Sequence, residues 1–261
     1  MKLDDVVITR AIVESFYKKL LEYSDVDVAI AGAGPAGLCA AYYLAREKVR
    51  VAVFERKLSI GGGMWGGGMM FNELVVGEEG KGILDEIEVN YKIYQKGYYT
   101  ADAVECISTL CSKATKAGAK VFNLISVEDV MLVGEEVCGL VLNWSAVQMA
   151  NLHVDPLTIR AKYLVEATGH PAELVKIIVK KIGPRLLTST GDIVGEKPMW
   201  ADMGEKEVVE NSKEAYPNVY VAGMAANAVF GAHRMGPIFG GMLLSGKKVS
   251  NEVLKKLKTQ K

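Results

Sequence analysis

Apolar positions recur at helical spacing between Asp4 and Tyr23 (Val7, Ile8, Ala11, Ile12, Phe16, Leu20 and Leu21), with acidic and basic residues between them. This period predicts an amphipathic helix ahead of the main fold. The pattern then changes to VDVAIAGAG, a run that starts at Val26 and reads as a buried strand entering a glycine turn. AGLCAAYYLAREK follows as a helix with small residues at its start, and VRVAVFE as a second strand. Farther along, TADAVECISTLCSKATKAGA predicts a helix that stops at Gly118. AKVFNLISVEDVMLVGEEVCGLVLNW predicts strands joined by a hairpin around Val133 to Glu136. RAKYLVEAT reads as a buried strand, ELVKIIVKKI as a helix, NVYVAG as a last strand and PIFGGMLLSGKKVSNEVLKKLK as a closing helix. The segment from Gly61 to Gly68 holds six glycines in eight residues. The entropy cost of ordering so much glycine argues against a regular element and predicts a mobile loop, Gly61 to Met70, able to close over a site. No linker, repeat or low-complexity tract divides the chain. The expectation is one α/β domain over residues 1–261, a Rossmann-like FAD/NAD-binding three-layer fold with an inserted β-hairpin region and an N-terminal helix.

Composition narrows the function classes. Lys plus Arg equal Asp plus Glu at 31 each, so no global field points to nucleic acid or an anionic membrane. No apolar run is long enough to span a bilayer, and the charged N-terminus does not resemble a signal peptide. Cys39, Cys106, Cys111 and Cys138 form no C-x-x-C pair and no zinc spacing. They read as small apolar residues of a cytoplasmic protein.

Gly32-Ala33-Gly34-Pro35-Ala36-Gly37 matches G-x-G-x-x-G. The match gains force because it follows a predicted strand and opens a predicted helix. Gly32 permits the tight turn, Gly34 lets a pyrophosphate approach the backbone, and Gly37 lets helix and sheet pack closely. The helix N-terminus offers free N–H groups to phosphate. Glu55 ends the second strand, where an acid accepts from ribose hydroxyls and disfavours a 2′-phosphate. The ligand expected is therefore NAD or FAD. YLVEATGH and NVYVAGMAANAV resemble the corresponding strands of the FAD-containing oxidoreductases. Met224, however, stands where those enzymes carry a flavin-binding acid.

Three longer segments, FERKLSIGGGMWGGGMMFN, NLHVDPLTIRAKYLVEATGHPAE and GMAANAVFGAHRMGPIFGGMLLSG, resemble the thiazole synthases of thiamine biosynthesis, in particular their archaeal-type, sulfide-dependent branch. The likeness covers nearly the whole chain. It implies an enzyme that consumes NAD as a substrate, expels nicotinamide, condenses the ADP-ribose with glycine and adds sulfide. The product implied is an ADP-thiazole carboxylate, and the metal is iron(II). By resemblance, Asp155 and His170 ligate the metal from neighbouring subunits of a homo-oligomer, an octamer in the family. A carboxylate and an imidazole leave positions on iron(II) open to substrate. Arg234 suits bidentate capture of the glycine carboxylate. Glu55 and Arg56 are expected to hold the adenosine ribose and its neighbouring groups. Gly63 is expected to bring its backbone against the cofactor, Ala36 to belong to the same cofactor site, Val127 to line the adenine side and Met224 the ADP end.

All three histidines, His153, His170 and His233, fall in these segments. His153 occupies the position where eukaryotic-type members carry a sulfur-donating cysteine, so the resemblance implies external sulfide here. His153 reads either as a general acid or base or as a spacer in its turn. No role attaches to His233. Two rivals remain: an FAD-dependent oxidoreductase, which would purify yellow, and a non-enzymatic NAD-binding regulator, which would leave NAD intact.

Overall fold

The computed structural model describes residues 2–259. Helix α1 spans Asp5–Glu22 and is capped by Asp4, whose carboxylate accepts from the N–H groups of Val6 and Val7. Of its predicted apolar stripe, Phe16 and Leu20 pack against the core, whereas Val7, Ile8, Ile12 and Leu21 stay exposed. Strand β1 (Asp25–Ala31), helix α2 (Pro35–Arg46) and strand β2 (Val51–Glu55) form a parallel βαβ unit, with Val28 opposite Val51 and Ala31 opposite Phe54. Pro35 sits in the first turn of α2, where its missing N–H costs nothing.

The region between residues 60 and 102 contains more structure than its sequence pattern predicts. A 3₁₀ turn, Gly62–Gly66, is followed by β3 (Glu73–Val76), α3 (Glu78–Ile87), β4 (Lys92–Gln95) and β5 (Tyr98–Asp102). The strands form a small antiparallel sheet in the order β3-β5-β4. The helix expected from residue 100 begins at Ala103 as α4 (Ala103–Ala117), because Thr100 to Asp102 are taken up by β5. It ends at Gly118 as predicted.

Strand β6 (Lys120–Asn123) joins β2 in parallel, and β7 (Ile125–Val133) and β8 (Glu136–Trp144) make the inserted hairpin. After a short helix α5 (Ser145–Met149), β9 (Leu157–Glu166) runs parallel to β1 on the side away from β2. Helices α6 (Glu173–Ile182) and α7 (Ala201–Glu210), strands β10 (Glu214–Tyr216) and β11 (Val219–Val221), and helices α8 (Met224–Phe230) and α9 (Gly240–Thr259) complete the chain. The main sheet has the order β10-β11-β9-β1-β2-β6.

Strand periodicity explains the layers. Val28 and Ile30 of β1 point to one face, where they pack with Leu38 and Leu44 of α2, Leu110 of α4 and Leu243 of α9. Ala29 and Ala31 point to the other, with Leu140 and Leu142 of the hairpin and Leu174 and Ile178 of α6. Each buried aliphatic side chain contributes about 1.5–3 kcal/mol relative to exposure. The result is a three-layer α/β architecture. Among the described residues no helix is long and apolar enough to cross a membrane.

Candidate functional site

The chain leaves β1 toward β2 on one side and later returns to β9 on the other. A crevice therefore opens at the carboxyl ends of β1 and β9, the switch point where open α/β sheets bind ligands. The loops after β1, β2, β9 and β11 line a cavity of about 770 Å³ there. That volume lies within the range of roughly 300–1,000 Å³ for small-molecule and cofactor pockets. Gly32, Gly34, Ala36, Glu55, Arg56, Gly63, Val127, His170 and Met224 all line it.

The three motif glycines differ in what they do. Gly32 has φ +98°, and a Cβ there would lie 2.4 Å from the Ala167 carbonyl oxygen of the neighbouring strand end. A Cβ at Gly37 would lie 2.1 Å from the Gly32 carbonyl oxygen, so this glycine closes helix onto turn and does not line the cavity. At Gly34 nothing stands within 4 Å of the Cβ position, and at Gly63 the space is open as well. These two present bare backbone to the cavity.

Two buried acids brace the crevice. Glu55 Oε2 accepts from Ala33 N at 3.0 Å and Oε1 from Lys57 N at 2.9 Å, which ties the glycine turn to the end of β2. A carboxylate has about four lone-pair sites, so both oxygens retain capacity for ribose hydroxyls. Glu166, at the end of β9 and fully buried, accepts from Thr168, Leu174 and Val175 N–H groups and so caps α6. Burial pushes its carboxyl above the ordinary range, against the pull of those donors. Arg56 pairs with Glu173 at 2.5 Å across the cavity mouth.

The glycine-rich segment is more ordered than its composition suggests. Met64 is fully buried, and Gly61 N donates to Ala33 O at 2.7 Å, which anchors the 3₁₀ turn beside the motif. Its tip, Met69 to Phe71, is strongly exposed, with Met69 and Met70 at φ +59° and +64°.

His170 Nδ1 lies 2.7 Å from Glu196 Oε1, and its side chain is 48% exposed toward the cavity. Arg234 does not line the cavity, but its Nε is 3.9 Å from Glu196 Oε2. His153 and Asp155 lie outside the cavity on an exposed segment, which Asn143 holds by donating to Val154 O at 3.0 Å. Among the described residues no three His, Cys, Asp or Glu side chains gather as a metal site within the chain. His233 is engaged elsewhere: Glu207 accepts from its backbone N–H at 2.8 Å and lies 2.9 Å from its Nδ1. Sequence reasoning missed Glu166, Glu196, Thr168 and Lys176. The last two line the cavity; Glu166 and Thr168 fall in the YLVEATGH segment, which gave them no role, and no motif marks Glu196 or Lys176.

A parallel sheet with a glycine turn and a bracing acid at its switch point defines a Rossmann-like protein of the dinucleotide-binding kind. The model of the Thi4 family matches residues 9–239, and the chain belongs to that family. It is 61% identical to the thiamine thiazole synthase of Methanothermobacter thermautotrophicus over 99% of this chain and 100% of that one. Identity to the thiamine thiazole synthase of Pyrococcus furiosus is 56%, over 98% and 99% of the two chains. The crystal structure of Thermovibrio ammonificans THI4 superposes with a TM-score of 0.97 at 57% identity, covering 98% of this chain and 100% of that chain.

Proposed function

We propose that this enzyme of thiamine thiazole synthesis makes an ADP-thiazole carboxylate from NAD, glycine and sulfide, with iron(II). The observation that carries the reading is that one cavity joins the bare backbone of Gly34, the ribose-side acid Glu55 and the imidazole of His170. In this reading the pyrophosphate lies against Gly34 at the start of α2, the ribose on Glu55 with Arg56 beside it, and the adenine near Val127. The reacting ribose then reaches Met224 and His170. Arg234 turns its terminal nitrogens to the glycine carboxylate. Met224, apolar where a flavin enzyme carries an acid, favours this reading over an FAD-dependent oxidoreductase.

The donor set fits iron(II). An imidazole backed by a carboxylate on Nδ1 keeps Nε2 for a metal, and His170 with Glu196 has that form. Asp155 of a second copy would complete the pair, consistent with its exposure and its position outside its own cavity. The family resemblance implies an octamer for that assembly. When bound, iron(II) supplies a Lewis-acidic centre for sulfur and substrate donors.

The sulfur comes from outside the chain. His153 has none to give, and no cysteine lines the cavity. Burial pushes the thiols of Cys106 and Cys111 up to about 12 and about 11, and that of Cys39 up strongly too. None of these is a thiolate near neutrality. All four cysteines are free, which fits a cytoplasmic protein.

The test is anaerobic incubation with NAD, glycine, sulfide and iron(II), followed by mass spectrometry of the released small molecules. An ADP-thiazole carboxylate that requires all four components is expected. Intact NAD after prolonged incubation would overturn the reading.

A further inference from the structure

Residues 194 to 200 carry no regular element, yet they are held along the segment 228–234. Val194 N donates to Val229 O, Gly195 N to Ala228 O at 2.9 Å, Lys197 N to Ala232 O at 2.8 Å and Trp200 N to Arg234 O at 3.0 Å. Lys197 and His233 form a parallel bridge. Gly231 allows the close approach: it has φ +77°, and a Cβ there would lie 2.4 Å from Val194 Cγ1. Glu196 sits between the two anchored residues Gly195 and Lys197, so its backbone is placed by hydrogen bonds on both sides. Its side chain is 18% exposed and meets two groups at once, His170 Nδ1 at 2.7 Å through Oε1 and Arg234 Nε at 3.9 Å through Oε2.

We propose that Glu196 is a positioning residue whose single carboxylate orients both the His170 imidazole and the Arg234 guanidinium, coupling the metal and glycine subsites. The inference rests on the function proposed above. A carboxylate is an acceptor only, so His170 must carry its proton on Nδ1 to donate to it. That leaves the Nε2 lone pair free, the form a metal requires. On the other side, an acceptor near Nε leaves the two terminal nitrogens of Arg234 free as a planar fork for a carboxylate. An exposed ion pair contributes little to stability by itself. The consequence of Glu196 is therefore geometric, and it falls on two ligands at once.

The experiment uses the full-length protein and the variants Glu196→Ala and Glu196→Gln. In metal-free, ¹⁵N-histidine-labelled protein, long-range ¹H–¹⁵N spectra report the tautomer of His170, assigned by its loss in His170→Gln. The wild type is expected to show the Nδ1-protonated form, and Glu196→Ala the Nε2-protonated form. Anaerobic iron(II) titration should give 10–100-fold weaker binding in Glu196→Ala, the usual effect of removing such a partner. Glu196→Gln keeps the volume and a neutral acceptor but loses the charge. It should retain the tautomer, while the KM for glycine rises several-fold in both variants. A wild-type His170 protonated on Nε2, or an unchanged tautomer and glycine KM in Glu196→Ala, would overturn the inference. If His170→Gln leaves iron(II) binding intact, the metal assignment fails instead, and the tautomer readout still decides what Glu196 does.

Discussion

Gly32 and Gly34 are two residues apart and tolerate a side chain very differently. At Gly32 a methyl group would meet the Ala167 carbonyl at 2.4 Å in a left-handed backbone. Gly32→Ala should therefore lower the melting temperature by the equivalent of about 2 kcal/mol or more. At Gly34 the backbone is extended, at φ −76°, and the space is open. Gly34→Val should melt within a few degrees of the wild type yet lose NAD binding in titration calorimetry, because the side chain fills the phosphate position. Glu55→Ala should weaken NAD by about 1.5–3 kcal/mol, the scale for a hydrogen bond to a charged group. Unchanged affinity would remove Glu55 from the ribose site.

A buried acid outside the site contributes to the pH dependence of stability. Glu205 accepts from Gly241 N at 2.8 Å through Oε1, while Oε2 is buried without a partner. Burial pushes its carboxyl up to about 7, and the neighbouring Glu79 adds to the rise. A raised acid holds its proton in the folded state after the unfolded chain has released it. Its contribution to stability therefore declines as pH rises from about 4.5 toward 7, and the penalty is complete above 7. Glu205→Gln should melt higher than the wild type at pH 8.5, by about 1–3 kcal/mol, and the difference should vanish near pH 4.

Among the elements, the 3₁₀ turn Gly62–Gly66 shows how one side chain offsets the cost of ordering glycine. Met64 is fully buried in the core cluster that also holds Ile107, and the rest of the turn follows it. Met64→Ala should cost about 2–5 kcal/mol and speed hydrogen exchange of the Gly61–Gly68 amides without disturbing those of β1. Glycine content alone predicted a wholly mobile loop; one buried methionine and the Gly61–Ala33 hydrogen bond order most of it. The small sheet of β3, β4 and β5 was not legible for a related reason. Its strands are four or five residues long, and β4 is exposed along its whole length, so no alternation marks it.

For the whole molecule, exposure of α1 and of the His153–Asp155 segment agrees with the proposed assembly. Val6, Val7, Ile12, Val13 and Tyr17 are each more than half exposed, an apolar surface of the kind that marks an interface. If the metal pair is shared between subunits, Asp155→Ala and His170→Ala should each lose iron(II) and activity, and hetero-oligomers mixed from the two should regain a fraction of sites. Protein mass should also stay constant over many turnovers; formation of dehydroalanine in proportion to product would make the chain its own sulfur donor.

The sequence by itself determined the βαβ unit, the glycine turn with Glu55, the β7–β8 hairpin and the segments that carry the family resemblance. These are local: a period of two or 3.6 residues, a turn that only glycine can make, or a motif of adjacent residues. The motif also gave Gly34 to the ligand and Gly37 to packing, and the structure places them so. The tertiary structure alone set Glu166 under the crevice and brought Glu196 against both His170 and Arg234. Those pairings join residues 26 and 38 positions apart, through a stretch without helix or strand period. Contacts of that kind are set by how the sheet is ordered and by the backbone hydrogen bonds that lay one irregular segment along another, and neither leaves a pattern in the chain.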